Sequence, residues 1–114
     1  MNDNMKLVIK ALRSGEYAQT KESLQDDHGY CCLGVMCAVF EKETGRTLGR
    51  DGDTGHMEGE DLDAQEGVRR WVGLSDSEGR NTIDQSLVLL NDSQGYTFSE
   101  IADFIESEPE GLLV

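Results

Sequence analysis

The chain has 114 residues, the length of one ordinary domain, and its 10 Lys and Arg against 23 Asp and Glu give it a formal net charge of −13. This acidity excludes unaided binding to DNA, RNA or anionic membranes, because those partners require a basic protein surface. No apolar run approaches the ~18 residues of a transmembrane helix, so we expect no contact with a membrane. We predict a single domain over residues 1–114.

The cysteines and the first residues of the chain indicate a reducing compartment. Three cysteines, two of them adjacent, are an odd number that does not form a disulfide framework. The first six residues lack the basic start and the apolar run of a secretory signal. We therefore expect free thiols and a cytoplasmic protein.

The first half of the chain predicts a helix, a hairpin and a second helix. Residues 4–14 have apolar side chains at helical spacing, and Gly15 is suited to end that helix. The turn-forming residues 26–29 predict a β-hairpin within residues 17–32. The next helix is expected to end at Gly45. The two apolar faces consist of Met5, Val8, Ala11 and Leu12, and of Leu33, Met36, Cys37, Phe40 and Thr44.

Three further helices are predicted in the second half. A helix over residues 62–72 would bury Leu62, Val68, Trp71 and Val72 and would end at Gly73. A helix over residues 83–90 would bury Ile83, Leu87, Val88 and Leu90. The last helix begins with a capping box, Thr97 and Glu100. The fold class predicted is α+β: a small helix-rich domain with a short β-hairpin and an exposed acidic loop.

The acidic loop lies between the second and third predicted helices. Residues 49–66 contain four glycines and seven acidic side chains, namely Asp51, Asp53, Glu58, Glu60, Asp61, Asp63 and Glu66. Such a segment buries too little apolar surface to offset its ordering entropy, so we expect residues 49–61 to form a flexible loop. It begins like a calcium loop, but His56 replaces the turn glycine and Leu62 the bidentate glutamate.

No constellation in the sequence points to catalysis or to a resident metal. The three cysteines are spaced C-C-x4-C without the second pair that structural zinc sites need, so we interpret them as packing residues. Neither His28 nor His56 belongs to a local signature that would pair it with a thiol. We expect no metal, no cofactor and no catalytic residue.

Asn91 and Asp92 open a polar segment, residues 91–95, between two predicted helices. Turn chemistry explains each of its residues, and a partner-binding role is the alternative. The helix that follows does not read DNA, because residues 99–110 carry five acidic side chains and no Lys or Arg.

Several motifs spread over nearly the whole chain support a family resemblance. They are Ala11–Gln19 (ALRSGEYAQ), Tyr30–Val35 (YCCLGV), Leu90–Asp92 (LND), Gly95 and Phe98–Glu106 (FSEIADFIE). In this combination and order the chain resembles a family of small proteins encoded by tailed bacteriophages. The resemblance implies a phage accessory gene that acts in the cytoplasm of the infected bacterial host, and it implies no catalytic residue.

The leading functional hypothesis is non-enzymatic binding to a host or defence protein. A strongly acidic surface could occupy a basic, nucleic-acid-binding groove and so inhibit its owner, with carboxylates in place of phosphates. Residues 100–110 would add to this surface. The candidate partner-binding residues are Asp51, Asp53, Glu58, Glu60, Asp61, Asp63, Asn91 and Asp92.

The alternative is a small-molecule sponge that sequesters a nucleotide immune signal. Phosphate and base would require cationic and aromatic side chains. The candidates are Arg13, Lys21, Arg46, Arg69, Arg70, Arg80, Tyr17, Tyr30, Trp71 and Tyr96. An enzyme ranks last, and the small number of aromatic residues also allows a homo-oligomer that extends the core.

Overall fold

The computed structural model of the chain describes all 114 residues. Its elements in chain order are α1 (Asp3–Ser14), β1 (Gln25–Asp26), β2 (Gly29–Tyr30), α2 (Cys32–Thr44), α3 (Glu66–Val72), α4 (Leu87–Asp92) and α5 (Phe98–Glu106). The radius of gyration is 12.7 Å, close to the ~13 Å expected of one domain of this length. The predicted α+β class, helix-rich with a short hairpin, is confirmed.

One hydrophobic core unites the helices. α1 packs on both α5 and α2, and α2 also contacts α3 and α4. The central helix is α2, in which eight residues are buried, and it ends as predicted at Gly45, which has a φ of 73°. A glycine is suited there because side chains disfavour this left-handed conformation.

The clearest sequence signals for helix ends are confirmed. Gly15, with a φ of 78°, ends α1 as predicted, and the Asn2 side chain, a cap that was not predicted, accepts a hydrogen bond from the Met5 amide at the start of that helix. At α5, the Thr97 hydroxyl accepts from the Glu100 amide, and the Glu100 carboxylate accepts from the Thr97 amide. Such caps satisfy amides that have no partner within the helix, so their signal can be found without tertiary information.

The hairpin is shorter than predicted. β1 and β2 are two residues each, in antiparallel register, and the Asp26 carboxylate accepts from the amides of His28 and Gly29 across the turn. The expected strand before β1 is reduced to a single parallel bridge from Gln19 to Tyr30. Cys31 and Cys32 do not continue the hairpin, because they cap and begin α2.

The predicted starts of α3 and α4 are wrong. Leu62 is buried as expected, but it lies in a turn outside the helix, and α3 begins only at Glu66. Ile83 is 74% exposed, because the chain turns at Asp84, with a φ of 62°, before Ser86 caps α4. None of the helices is long and apolar enough to cross a membrane.

Candidate functional site

The acidic segment, residues 49–63, is the most distinctive surface of the molecule. It contains no helix or strand, and most of its side chains are exposed, as predicted. Its six carboxylates are Asp51, Asp53, Glu58, Glu60, Asp61 and Asp63. No cationic nitrogen lies within 4.0 Å of any of them, although carboxylates elsewhere form nine such contacts with Lys, Arg or His and one with the N-terminal amine. The segment therefore carries negative charge that the protein itself does not neutralise.

An arginine fixes the start of the acidic segment to α2. Arg50 donates from both terminal nitrogens to the two carboxylate oxygens of Glu41, at 2.7 Å each. The Leu48 amide donates to the same carboxylate at 2.7 Å. Such a two-pronged pair is geometrically specific, and the Glu41 side chain is only 19% exposed, so this contact is held more firmly than an ordinary surface ion pair.

Buried side chains fix the middle and the end of the acidic segment. Met57 is 2% exposed and Leu62 is 1% exposed, and both belong to the hydrophobic core. The Met57 amide donates to the Gln25 side chain at 3.0 Å, and the Gly59 carbonyl accepts from the Leu24 amide at 2.8 Å. Two of the few apolar residues of the segment therefore enter the core, and the predicted flexibility of residues 49–61 stays a prediction.

Asp51 organises the tip of the acidic segment. Its carboxylate accepts from the amides of Asp53 at 2.7 Å and Thr54 at 3.0 Å, and these hydrogen bonds lower its pKa. A hydrogen bond with Asp51 and the negative charge of Asp51 raise the pKa of Glu58. Asp51 therefore stays ionised while it holds the turn, and Glu58 is the first of this pair to take up a proton as the pH falls.

Acid pH is expected to weaken the attachment to α2. The hydrogen bonds from the Arg50 guanidinium hold the pKa of Glu41 below its ordinary value. Because the pKa of Glu41 is lowered in the folded protein, the contact with Arg50 stabilises the fold fully above the ordinary pKa of about 4.3. This stabilisation is lost as the pH falls through the pKa that Glu41 has in the folded protein. In urea unfolding, Glu41→Gln should cost about 1–2 kcal/mol at pH 7. That difference from the wild type should shrink below pH 4.3. A difference independent of pH would contradict the stabilising role of the ionised Glu41 carboxylate.

Asn91 and Asp92 lie in the last turn of α4 and not in the connector that follows it. Asn91 is 1% exposed, and its side-chain amide donates to the Thr20 carbonyl at 2.8 Å while its oxygen accepts from the Gln19 side chain and the Cys32 amide. All of its polar atoms are thus occupied within the molecule, which gives it a structural role. Asp92 is half-buried beside it.

The three cysteines are buried and free, in agreement with their interpretation as packing residues. Cys31 also caps α2, because its sulfur accepts from the Gly34 amide at 3.4 Å. Burial raises the pKa of Cys31 to about 11 and that of Cys37 to about 12, and it raises the pKa of Cys32 as well. Thiols in this state are weak nucleophiles at neutral pH, since the reactive form is the thiolate.

The candidate nucleotide-binding residues do not converge on one site. Four of the six candidate cations are held in ion pairs, namely Arg13, Arg69, Arg70 and Arg80. Tyr17 packs edge-on against Tyr30, and Trp71 packs edge-on against Phe40. Of these candidates, only Lys21 and Tyr96 are among the residues that line a shared cleft, of about 210 Å³.

The acidic face of α5 differs from the acidic segment. Arg13 of α1 donates to Asp103 at 2.6 Å and to Glu106 at 3.1 Å. These two carboxylates are therefore already neutralised in part, and residues 100–110 offer a partner less free charge than was expected.

Sequence reasoning missed the residues that hold the acidic segment in place. Glu41, Gln25 and Leu24 are distant in the chain, and no local pattern connects them to residues 49–63. One signal was available: Arg50 is the only Lys or Arg between positions 49 and 66. A lone arginine among seven acidic residues indicates an internal partner, and the structure shows that this partner is Glu41.

The fold and the site together define a small, acidic α+β domain with a mainly helical core and one anchored acidic segment. The chain belongs to the family described as Domain of unknown function (DUF8296), whose family model matches residues 1–109. Comparison with curated proteins and with solved structures gave no match. What the protein does must therefore be argued from its own residues.

Proposed function

We propose that this protein is a phage accessory protein that acts by non-enzymatic binding. Its acidic segment contacts a basic surface of a host or defence protein and thereby inhibits or modulates that protein in the cytoplasm of the infected bacterium. The resemblance of the sequence motifs to small phage proteins supports the genetic setting. The properties of the acidic segment support the binding role.

The observation that carries this proposal is the combination of fixed backbone and free charge in the acidic segment. Arg50, Met57 and Leu62 hold the segment against the domain, while its six carboxylates have no cationic partner. A fixed backbone lowers the conformational entropy that binding costs. Unpaired carboxylates attract a basic partner over a range set by salt, so the association should be fast at low salt and weaker at high salt.

The nucleotide sponge remains the alternative, with less support. Most of its candidate arginines already have carboxylate partners, and a phosphate would have to displace them. The cleft between Lys21 and Tyr96, about 210 Å³, is smaller than the roughly 300–1,000 Å³ of typical ligand sites. A melting temperature raised by one nucleotide in a panel would reverse this ranking.

Neutralising the acidic segment should abolish partner capture without disturbing the fold. We would replace the four carboxylates that accept no backbone hydrogen bond: Asp53→Asn, Glu58→Gln, Glu60→Gln and Asp63→Asn. Asp51 is spared because it holds its turn. With the wild type and this variant as baits in lysate of a phage-susceptible bacterium, we expect one protein that only the wild type retains at low salt and that high salt releases. For the purified partner, the variant should bind at least about tenfold more weakly.

A matched control distinguishes the effect of the acidic segment on partner capture from the effect of net charge. Glu16→Gln, Glu22→Gln, Glu43→Gln and Glu110→Gln remove the same number of exposed carboxylates, none of which forms an ion pair. This control should capture the partner like the wild type. If both variants capture the partner as well as the wild type does, the acidic segment only keeps the protein soluble. If both variants lose the partner to the same extent, net charge alone is recognised.

A further inference from the structure

A groove of about 660 Å³ runs between α1 and the C-terminal end of α5. Its volume is within the roughly 300–1,000 Å³ of typical small-molecule sites. Lys6, Lys10 and Arg13 line it from α1, and Glu106 and Glu108 line it from the other side. None of these residues belongs to the acidic segment, so the groove is independent of the function proposed above.

The carboxylates of the groove are already paired, whereas two of its cations are not. Arg13 donates twice to Glu106 at 3.1 Å, and the terminal amine donates to Glu108 at 2.8 Å. Lys10 has no carboxylate within 4.0 Å. The only partner of Lys6 is Asp3 at 3.6 Å, between side chains that are 65% and 97% exposed, and such contacts contribute little. Lys6 and Lys10, one helical turn apart, therefore line the groove without a strong counterion.

The remaining lining residues are Met1, Ile9 and Ser14, of which Met1 and Ile9 are apolar. Ile9 is 5% exposed, and the methylene stems of Lys6 and Lys10 add apolar atoms to the lining. No aromatic side chain lines the groove, so it offers nothing on which a nucleobase could stack. We propose that this groove binds a small amphiphilic anion, an aliphatic chain that ends in a carboxylate or a phosphate, with its head group between Lys6 and Lys10.

Four small compounds distinguish the contribution of the anionic head group to binding from that of the aliphatic chain. Octanoate and octyl phosphate contain both parts, octanol contains only the chain, and inorganic phosphate contains only the charge. In amide NMR spectra of the full chain, we expect the first two to shift resonances of residues 6–14 and 106–108, and the other two to have much weaker effects at equal concentration. Uniform shifts, or equal shifts with octanol, would overturn the proposal, and so would no shift with any probe at millimolar concentration.

A pair of charge-matched variants assigns the binding to the groove. Lys6→Gln with Lys10→Gln should raise the Kd for octyl phosphate about tenfold, the effect expected when two exposed charge contacts are lost. Lys21→Gln with Arg46→Gln removes the same charge at two unpaired cations outside the groove and should leave the Kd unchanged. Equal Kd values for both variants would show that the octyl compounds bind elsewhere. Because these substitutions spare the acidic segment, failure here leaves the partner-binding proposal untouched.

Discussion

A Gly34→Ala substitution is expected to destabilise the protein strongly, although it adds only one methyl group. Gly34 lies in the first turn of α2, directly against the backbone of Leu24, just before β1. A methyl group there would overlap the Leu24 carbonyl oxygen and would come within 2.7 Å of the Leu24 carbonyl carbon. Real side chains do not approach a backbone so closely, so either α2 or the segment before the hairpin would have to move.

Neither of these elements can move easily. The Leu24 amide donates to the Gly59 carbonyl at 2.8 Å, the Leu24 carbonyl accepts from the Cys31 amide at 3.3 Å, and the Leu24 side chain is fully buried. A shift would therefore disturb the core, the start of α2 and the acidic segment together. Overpacking typically costs about 1–3 kcal/mol, and we expect a loss at or above the top of this range because the obstacle is backbone. Since small domains have only roughly 5–15 kcal/mol of stability, a loss of this size should lower the thermal and urea midpoints markedly.

Gly67→Ala is the matched control for this prediction. Gly67 is also a helical glycine, near the start of α3, but a methyl group there would have no atom within 4 Å. The control should be neutral or more stable by up to about 1 kcal/mol, because alanine favours helices. Thermal and urea midpoints of the two variants would decide the matter. A Gly34→Ala midpoint close to that of the wild type would mean that α2 does not pack on the Leu24 backbone.

The sequence predicted best where the determinants of structure are local. The capping box of α5 and the glycine after α2 act within a few residues, and both were found from the pattern alone. The start of α4 was misplaced because Ile83 fits helical spacing, although nothing local shows that its side chain is 74% exposed. Ser86 was the better signal, since its hydroxyl accepts from the Leu89 amide as an N-cap does.

The acidic segment shows the same limit at the level of function. Its composition correctly indicated exposure and negative charge, because six acidic residues cannot be buried together. Its attachment could not be predicted, since it depends on Glu41 and Gln25, which come from α2 and β1. Composition thus identifies the candidate surface, but only tertiary contacts show where the segment is attached to the rest of the domain.

Asn91→Asp is expected to have the second large effect, and one that depends on pH. The wild-type side chain makes four hydrogen bonds: it donates to the Thr20 carbonyl and to Asp92 at 2.8 Å each, and it accepts from Gln19 at 2.9 Å and from the Cys32 amide at 3.2 Å. These bonds connect α4 to the start of α2 and to the chain before the hairpin. A carboxylate of the same shape can still accept the hydrogen bonds from Gln19 and Cys32, but it cannot donate to Thr20 or Asp92.

The new charge would be buried and would face two oxygens. The Thr20 carbonyl would lose its donor, and the Asp92 carboxylate would repel the ionised group at close range. Each unsatisfied buried group costs about 1–3 kcal/mol, so we expect a loss of about 3 kcal/mol or more at pH 7. Burial and Asp92 would raise the pKa of the introduced carboxyl above its unfolded value. The loss should therefore be complete at neutral pH and should shrink as the pH falls through that raised pKa, because the protonated form carries no charge and donates again.

The decisive measurement is the difference between wild-type and variant urea midpoints, taken at matched pH values from 7 to 4. Comparing at each pH removes the acid sensitivity that both proteins share, such as that of Glu41. Gln94→Ala serves as the control, since this amide is exposed two residues beyond α4 and its side chain forms no hydrogen bond, so its midpoint should match that of the wild type at every pH. A deficit for Asn91→Asp that stays constant with pH would show that the introduced group is solvated. In that case Asn91 would be accessible, and the partner-binding role considered for it would return.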